Sequence, residues 1–174
     1  VWKEHICFNF LNLTDLSILR RTHSFFNTYW QNMMTQNLIR VPQGCPTLET
    51  AMAMAMIFSK RKEYTETNPL TVRLDEGVHE IVGQQPGRMD VTCSHITFVG
   101  QGKDHTTIRG GFWVENQQHV TFEEMTITHG GGTGLHGHGF YMTGSETTVD
   151  VLKCTVKECR GIGMWVGGGA TVTA

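Results

Sequence analysis

No stretch of this 174-residue chain approaches the ~18 consecutive apolar residues that a membrane-spanning helix needs, so no membrane partner is expected. Charge is scarce too: 14 basic against 16 acidic residues leave a net charge of −2, too weak a field to grip a nucleic acid. The short basic run Lys60-Arg61-Lys62 reads as a solvated helix end. Cysteine is sparse and unpatterned. The five thiols, Cys7, Cys45, Cys93, Cys154 and Cys159, are odd in number and never take Cys-x-x-Cys spacing, which argues against an oxidised secreted framework and against a zinc ribbon. Reduced thiols in a cytoplasmic or nuclear protein fit them better. No signal-peptide pattern opens the chain, and Val1 in place of Met leads to the expectation that residues precede it. No cofactor is implied. What remains is a soluble folded chain, 39% hydrophobic and 17% charged, sized for one medium domain or a small one with an appendage.

Glycine is rare in residues 1–60 and frequent from about Leu70 onward, and the grammar of the sequence changes with it. "ICFNFLNLTDLSILRRTHSFFNTYW" sets Ile6, Phe10, Leu13, Leu16 and Leu19 three or four residues apart, one buried face of short helices, with Thr14 or Asp15 able to cap the segment at Leu16. "RVPQGCP" at 40–46 reads as a loop. "TLETAMAMAMIFSK" joins strong helix formers behind Thr47, a capping residue; its Ala-Met alternation would suit a strand, but Ala is a poor strand former. Three segments result: helices over 1–46, a capping helix and linker over 47–69, and a glycine-rich, strand-forming part over 70–174, with Asn68-Pro69 at the boundary.

The strand-forming part repeats. "ITF" (96–98), "VTF" (120–122), "VDV" (149–151) and "VTA" (172–174) share an apolar-polar-apolar pattern and start 24, 29 and 23 residues apart (96 to 120, 120 to 149, 149 to 172). "GFWV" (111–114), "GFYM" (139–142) and "GMWV" (163–166) recur in phase with them, and "MTI" (125–127) matches "CTV" (154–156). Such a period, with several short strands per unit, predicts a solenoid whose strands pair in parallel with their equivalents one coil on. The predicted inward ladders are Ile96/Val120/Val149/Val172, Phe98/Phe122/Val151/Ala174 and Phe112/Phe140/Met164. Glycine is expected at the corners. The chain ends at Ala174 inside a strand, so a longer native solenoid is expected. The alternative is a sandwich of unrelated short strands.

Laid out as coils, residues 70–174 resemble a right-handed parallel β-helix of the pectin-lyase-like superfold. "TVRLDEGVHEI" matches the entry strand and "ITFVGQGKDHTTIRG" the first full coil. The fold class expected is therefore mainly β, a right-handed parallel β-helix preceded by a small α-helical segment. The stretch "HICFNFLNLTDLSILRRTHSFFNTYW" resembles an F-box. Ile6, Phe10, Leu11, Leu13, Asp15-Leu16 and Leu19 match its core, Phe25 or Phe26 its following aromatic and Trp30 its closing Trp; the opening Leu-Pro of the pattern is absent. That resemblance implies docking onto a Skp1-like adaptor protein of a ubiquitin ligase through Ile6, Phe10, Leu11, Leu13, Leu16 and Leu19.

Acids are too few for obvious hydrolysis. Gly137-His138-Gly139 resembles the Gly-His-Gly of polygalacturonase-type hydrolases, but only Glu115, Glu123, Glu124 and Asp150 lie near it, with no aspartate pair. Catalysis is left uncertain, leaning against, and no catalytic residue is assigned. His129, His136 and His138 are weak metal candidates, because a tetrahedral site needs further ligands that the loop does not contain. The long interval containing them reads as an insertion bulging from one coil corner. If Phe112 and Val114 point inward, then Trp113, Tyr141 and Trp165 point outward on successive coils. They would form an aromatic strip suited to a protein or glycan partner. His95 and His119 make a similar pair one coil apart. The function expected is a non-catalytic substrate-recognition adaptor; the alternative is a carbohydrate-active or carbohydrate-binding β-helix protein.

Overall fold

The computed structural model describes residues 24–82, 87–129 and 137–174. Helix α1 (Ser24–Gln36), strand β1 (Leu38–Val41) and helix α2 (Leu48–Ser59) come first. Each coil then passes through three sheets in one order: β2 (Leu70–Leu74), β3 (Gly77–Glu80), β4 (Arg88–Val91); β5 (Ile96–Val99), β6 (Thr106–Arg109), β7 (Gly111–Glu115); β8 (Val120–Glu123), β9 (Thr126–Thr128), β10 (Phe140–Thr143); β11 (Thr148–Leu152), β12 (Thr155–Lys157), β13 (Met164–Val166). Strand β14 (Thr171–Thr173) follows. The first sheet is β1-β2-β5-β8-β11-β14, the second β4-β7-β10-β13 and the third β3-β6-β9-β12. All pairings within them are parallel. The chain is a β-solenoid, and the sandwich alternative falls.

The predicted ladders pair residue for residue. Ile96 lies against Val120, Val120 against Val149, and Val149 against Val172. Phe98, Phe122 and Val151 form the second column, and Phe112, Phe140 and Met164 the third. Ala174 is the exception: it lies beyond the paired residues of β14 and is exposed. The columns meet inside the coil, where the fully buried Phe122 ring stands 5.2 Å from Phe98, 4.6 Å from Phe112 and 4.8 Å from Phe140. Burial of these rings on each other is what holds one coil to the next, because a single coil cannot hide its own apolar face.

The corners of the first sheet differ from expectation. The first sheet is entered and left through left-handed residues that carry side chains: Asn37, His95 and His119 before β1, β5 and β8, then Glu124 and Lys153 after β8 and β11, all with φ between 51° and 58°. At the other two sheets glycine does turn the corner as expected: Gly77, Gly87, Gly110 and Gly144 stand at the ends of β3, β4, β7 and β10 with φ between 73° and 141°. Glycine is needed as well where backbones close in, as at Gly111, where an added Cβ would fall 2.0 Å from the His138 carbonyl oxygen.

The N-terminal part also departs from the sequence reading. Residues 38–41, within the stretch read as helix and loop, form β1 and pair with β2 from Leu38↔Thr71 to Val41↔Leu74. The loop assignment holds over 42–46 but fails at Arg40 and Val41, because a parallel strand is completed by a partner across the intervening helix, which local sequence does not reveal. Helix α2 does begin behind Thr47, whose hydroxyl accepts the Thr50 N–H at 3.2 Å. It buries Leu48, Ala51, Met52, Met54, Ala55 and Phe58 and packs on β1, the outer strand of the first sheet. From α1, Trp30 lies edge-on to Phe58 with ring centroids 5.7 Å apart. Lys62 is not a merely solvated cation: its ammonium donates to the Met34 carbonyl at 3.1 Å and to Asn37 Oδ1, tying the helices together. Among the described residues no helix is long and apolar enough to cross a membrane. Ile6, Phe10, Leu11, Leu13, Leu16 and Leu19 lie outside the described residues.

Candidate functional site

The second sheet turns its Met89/Val91, Phe112/Val114 and Phe140/Met142 positions inward, so the residues between them face out. Register then stacks Asp90, Trp113, Tyr141 and Trp165 in one outward column. Trp113 and Tyr141 have ring centroids 3.8 Å apart at 15°, and Tyr141 and Trp165 4.1 Å apart at 8°. Coils rise ~4.8 Å per step, so the rings lean together into van der Waals contact. The guanidinium of Arg88 covers the other face of Trp113 at 3.7 Å, and its Nε donates to Asp90 at 2.6 Å. Trp113 Nε1–H donates to Glu115 Oε2 at 3.3 Å.

The predicted strip is thus present, but its rings face each other rather than the solvent. The rings are half-buried, and what they offer outward is edges and the Arg88–Asp90 pair. Flat stacking of a sugar needs a free ring face. Trp113 and Tyr141 have none, since each is covered on both sides.

Arg88 and Asp90 were missed from the sequence because "RMDV" was not recognised as a rung. The signal existed: Met89 and Val91 repeat the inward pattern of Phe112 and Val114, seven residues ahead of Ile96 (96 − 89) where Phe112 stands eight ahead of Val120 (120 − 112).

The corner between the third and second sheets carries the insertion. It runs over 129–139 in this coil, against 158–163 one coil on. His136 lies outside the described residues. His129 and His138 are 4% and 8% exposed. His129 Nδ1 stands 2.7 Å from the His138 carbonyl oxygen, which can only accept, so this nitrogen carries the proton. His138 Nδ1 accepts the Ile162 N–H at 2.9 Å, so in the neutral ring the proton sits on Nε2. The longer 3.3 Å approach of the Ile162 carbonyl to the same nitrogen is subordinate to that bond. A protonated Nε2 cannot ligate a metal. Among the described residues no group of three His, Cys, Asp or Glu side chains could hold an ion.

The acids named from sequence are divided between faces. Glu115 lies beside Trp113, whereas Glu123 and Glu124 belong to the first-sheet edge, where Lys153 reaches both at 3.5 and 3.0 Å. Asp150 pairs in register with Thr121, also on the first sheet. No acid pair from that set converges on Gly137-His138-Gly139. The other expected pair is real: His95 and His119 stack with centroids 5.0 Å apart at 14°.

No protein-family description, curated protein or solved structure matches the chain. The fold and its outward column define a parallel β-solenoid with an aromatic flank, and the functional reading rests on that geometry alone.

Proposed function

We propose that this chain is a non-catalytic recognition module, its solenoid flank binding a protein partner and its N-terminal segment docking a Skp1-type adaptor. The observation that carries the first half is the Arg88–Trp113–Tyr141–Trp165 column. Large half-exposed rings and an arginine on a rigid sheet are the residue types that dominate protein–protein binding energy. Ring edges and an anchored guanidinium suit backbone carbonyls and carboxylates of a partner better than they suit a sugar face. For the second half, the support is the F-box resemblance of the N-terminal stretch, whose closing Trp30 packs with Met33 into the buried core.

Capture of purified Skp1 is the test of the adaptor half; absence of capture removes it. For the flank, Tyr141→Ala should weaken a captured partner by about 30-fold or more, the effect of losing a central anchor of ~2 kcal/mol. Binding on a glycan array that disappears in Trp113→Ala would favour the carbohydrate reading instead.

A further inference from the structure

A small cavity of about 10 Å³ opens between Arg88, Trp113, Tyr141, His129 and His138. That is close to the room a single water requires. With both Nδ1 atoms occupied by backbone groups, the ring atoms left to bond are the two Nε2 atoms, and both are buried with no hydrogen-bond partner among the described residues. The two are not alike. With each ring neutral, His129 Nε2 holds a lone pair and can only accept, whereas His138 Nε2 holds a proton and can only donate. A buried donor and a buried acceptor left unmade are both costly, and one group satisfies the two together: a hydroxyl, which accepts through oxygen and donates through its proton.

We infer that this cavity is a hydroxyl-binding subsite, holding one water in the free protein and, resting on the flank reading, the hydroxyl of a serine or threonine side chain of the bound partner. Trp113 and Tyr141 line the same cavity, so the subsite lies directly behind the outward column, and a partner hydroxyl must displace the water it holds. Gly111 is one of its lining residues, and Gly87 stands beside the His129 acceptor. A Cβ at Gly87 would fall 2.4 Å from His129 Nε2 and fill the space beside it. Carboxylates and ammonium groups fit poorly, because the first lacks a proton for His129 and the second lacks a lone pair for His138.

Histidine ¹⁵N–¹H correlation spectra of the whole chain give the first test. The expected result is an Nδ1-protonated His129, an Nε2-protonated His138, and a slowly exchanging His138 Hε2 with a cross-peak to bound water. Identical tautomers for the two rings, or no water cross-peak, overturns the subsite without any variant or partner, and leaves the flank reading standing. Gly87→Ala should abolish the cross-peak, while Gly163→Ala on the same sheet should keep it; persistence in Gly87→Ala overturns the placement. Methanol is the probe for a side-chain hydroxyl and should shift Hε2 saturably. A water peak that methanol leaves unchanged confines the site to water and overturns the partner half.

Discussion

At the scale of single residues, the solenoid depends on what lies over each side chain one coil away. Gly111, Gly139 and Gly163 occupy equivalent positions on β7 and just before β10 and β13, yet their surroundings differ. An added Cβ meets the His138 carbonyl at 2.0 Å from Gly111, the Gly163 carbonyl at 2.6 Å from Gly139, and only Val156 Cγ1 at 3.4 Å from Gly163. Gly111→Ala is expected to cost about 1–3 kcal/mol by overpacking against backbone, whereas Gly163→Ala should stay within about 0.5 kcal/mol; urea midpoints compare the two. Removal of a buried ring should cost more: Phe122→Ala leaves a hole among Phe98, Phe112 and Phe140 and is expected to destabilise by about 3–5 kcal/mol in the same measurement. The thiols behave by the same local rule. Burial pushes Cys93 up to about 12 and raises Cys45 further, and it raises the less buried Cys154 and Cys159 as well. A folded-state value above the unfolded one favours the protonated form, so this stabilisation is full below 9.0 and is lost as pH rises towards 12. Stability should therefore fall between pH ~9 and ~12, and alkylation of the folded chain should label Cys159 and Cys154 well before Cys45 and Cys93. Peptide mass mapping reads that order.

Elements show how far sequence alone could go. The first and second sheets were legible from Ile96 onward because their inward residues are apolar and recur with a near-constant phase. The third sheet was only half legible. Its pairs Met125/Cys154 and Ile127/Val156 carry apolar side chains, but Gly77–Glu80 and Thr106–Arg109 are polar strands. Thr106 is buried there with its hydroxyl donating to the Asp75 carbonyl and accepting from the Gln101 N–H, so burial is achieved through hydrogen bonds that hydrophobic patterning does not register. Strand β1 was hidden for a different reason: its partner is separated from it by α2. The column of Trp113, Tyr141 and Trp165 was legible as positions, because alternation fixes direction. Ring orientation was not, since it depends on how neighbouring coils lean. The N-cap of α2 was visible in Thr47, and Thr47→Ala should cost ~1 kcal/mol through the orphaned Thr50 N–H. The same change should loosen β1, read as faster amide exchange over 38–41, because α2 packs on that strand.

The whole molecule is a line of units in which each coil touches its neighbours, so stability is a sum of local terms along one axis. Strands β5 and β8 pair on both sides, whereas β14 pairs only with β11 among the described residues. Amide exchange should therefore be slowest across 96–99 and 120–123 and fastest across 171–173, a gradient that hydrogen-exchange mass spectrometry would show directly. Uniform protection across all coils would mean that the array unfolds as one block instead. The stacked Trp113, Tyr141 and Trp165 give that question an optical answer as well. Chromophores held at 3.8 and 4.1 Å share their excited states, and the resulting near-ultraviolet dichroism is sensitive to their mutual angle. Since each ring is carried by a different turn of the winding, any slip or opening between turns alters that coupling. The protein thus contains its own unlabelled strain gauge, positioned on the same side as the surface a partner would grasp.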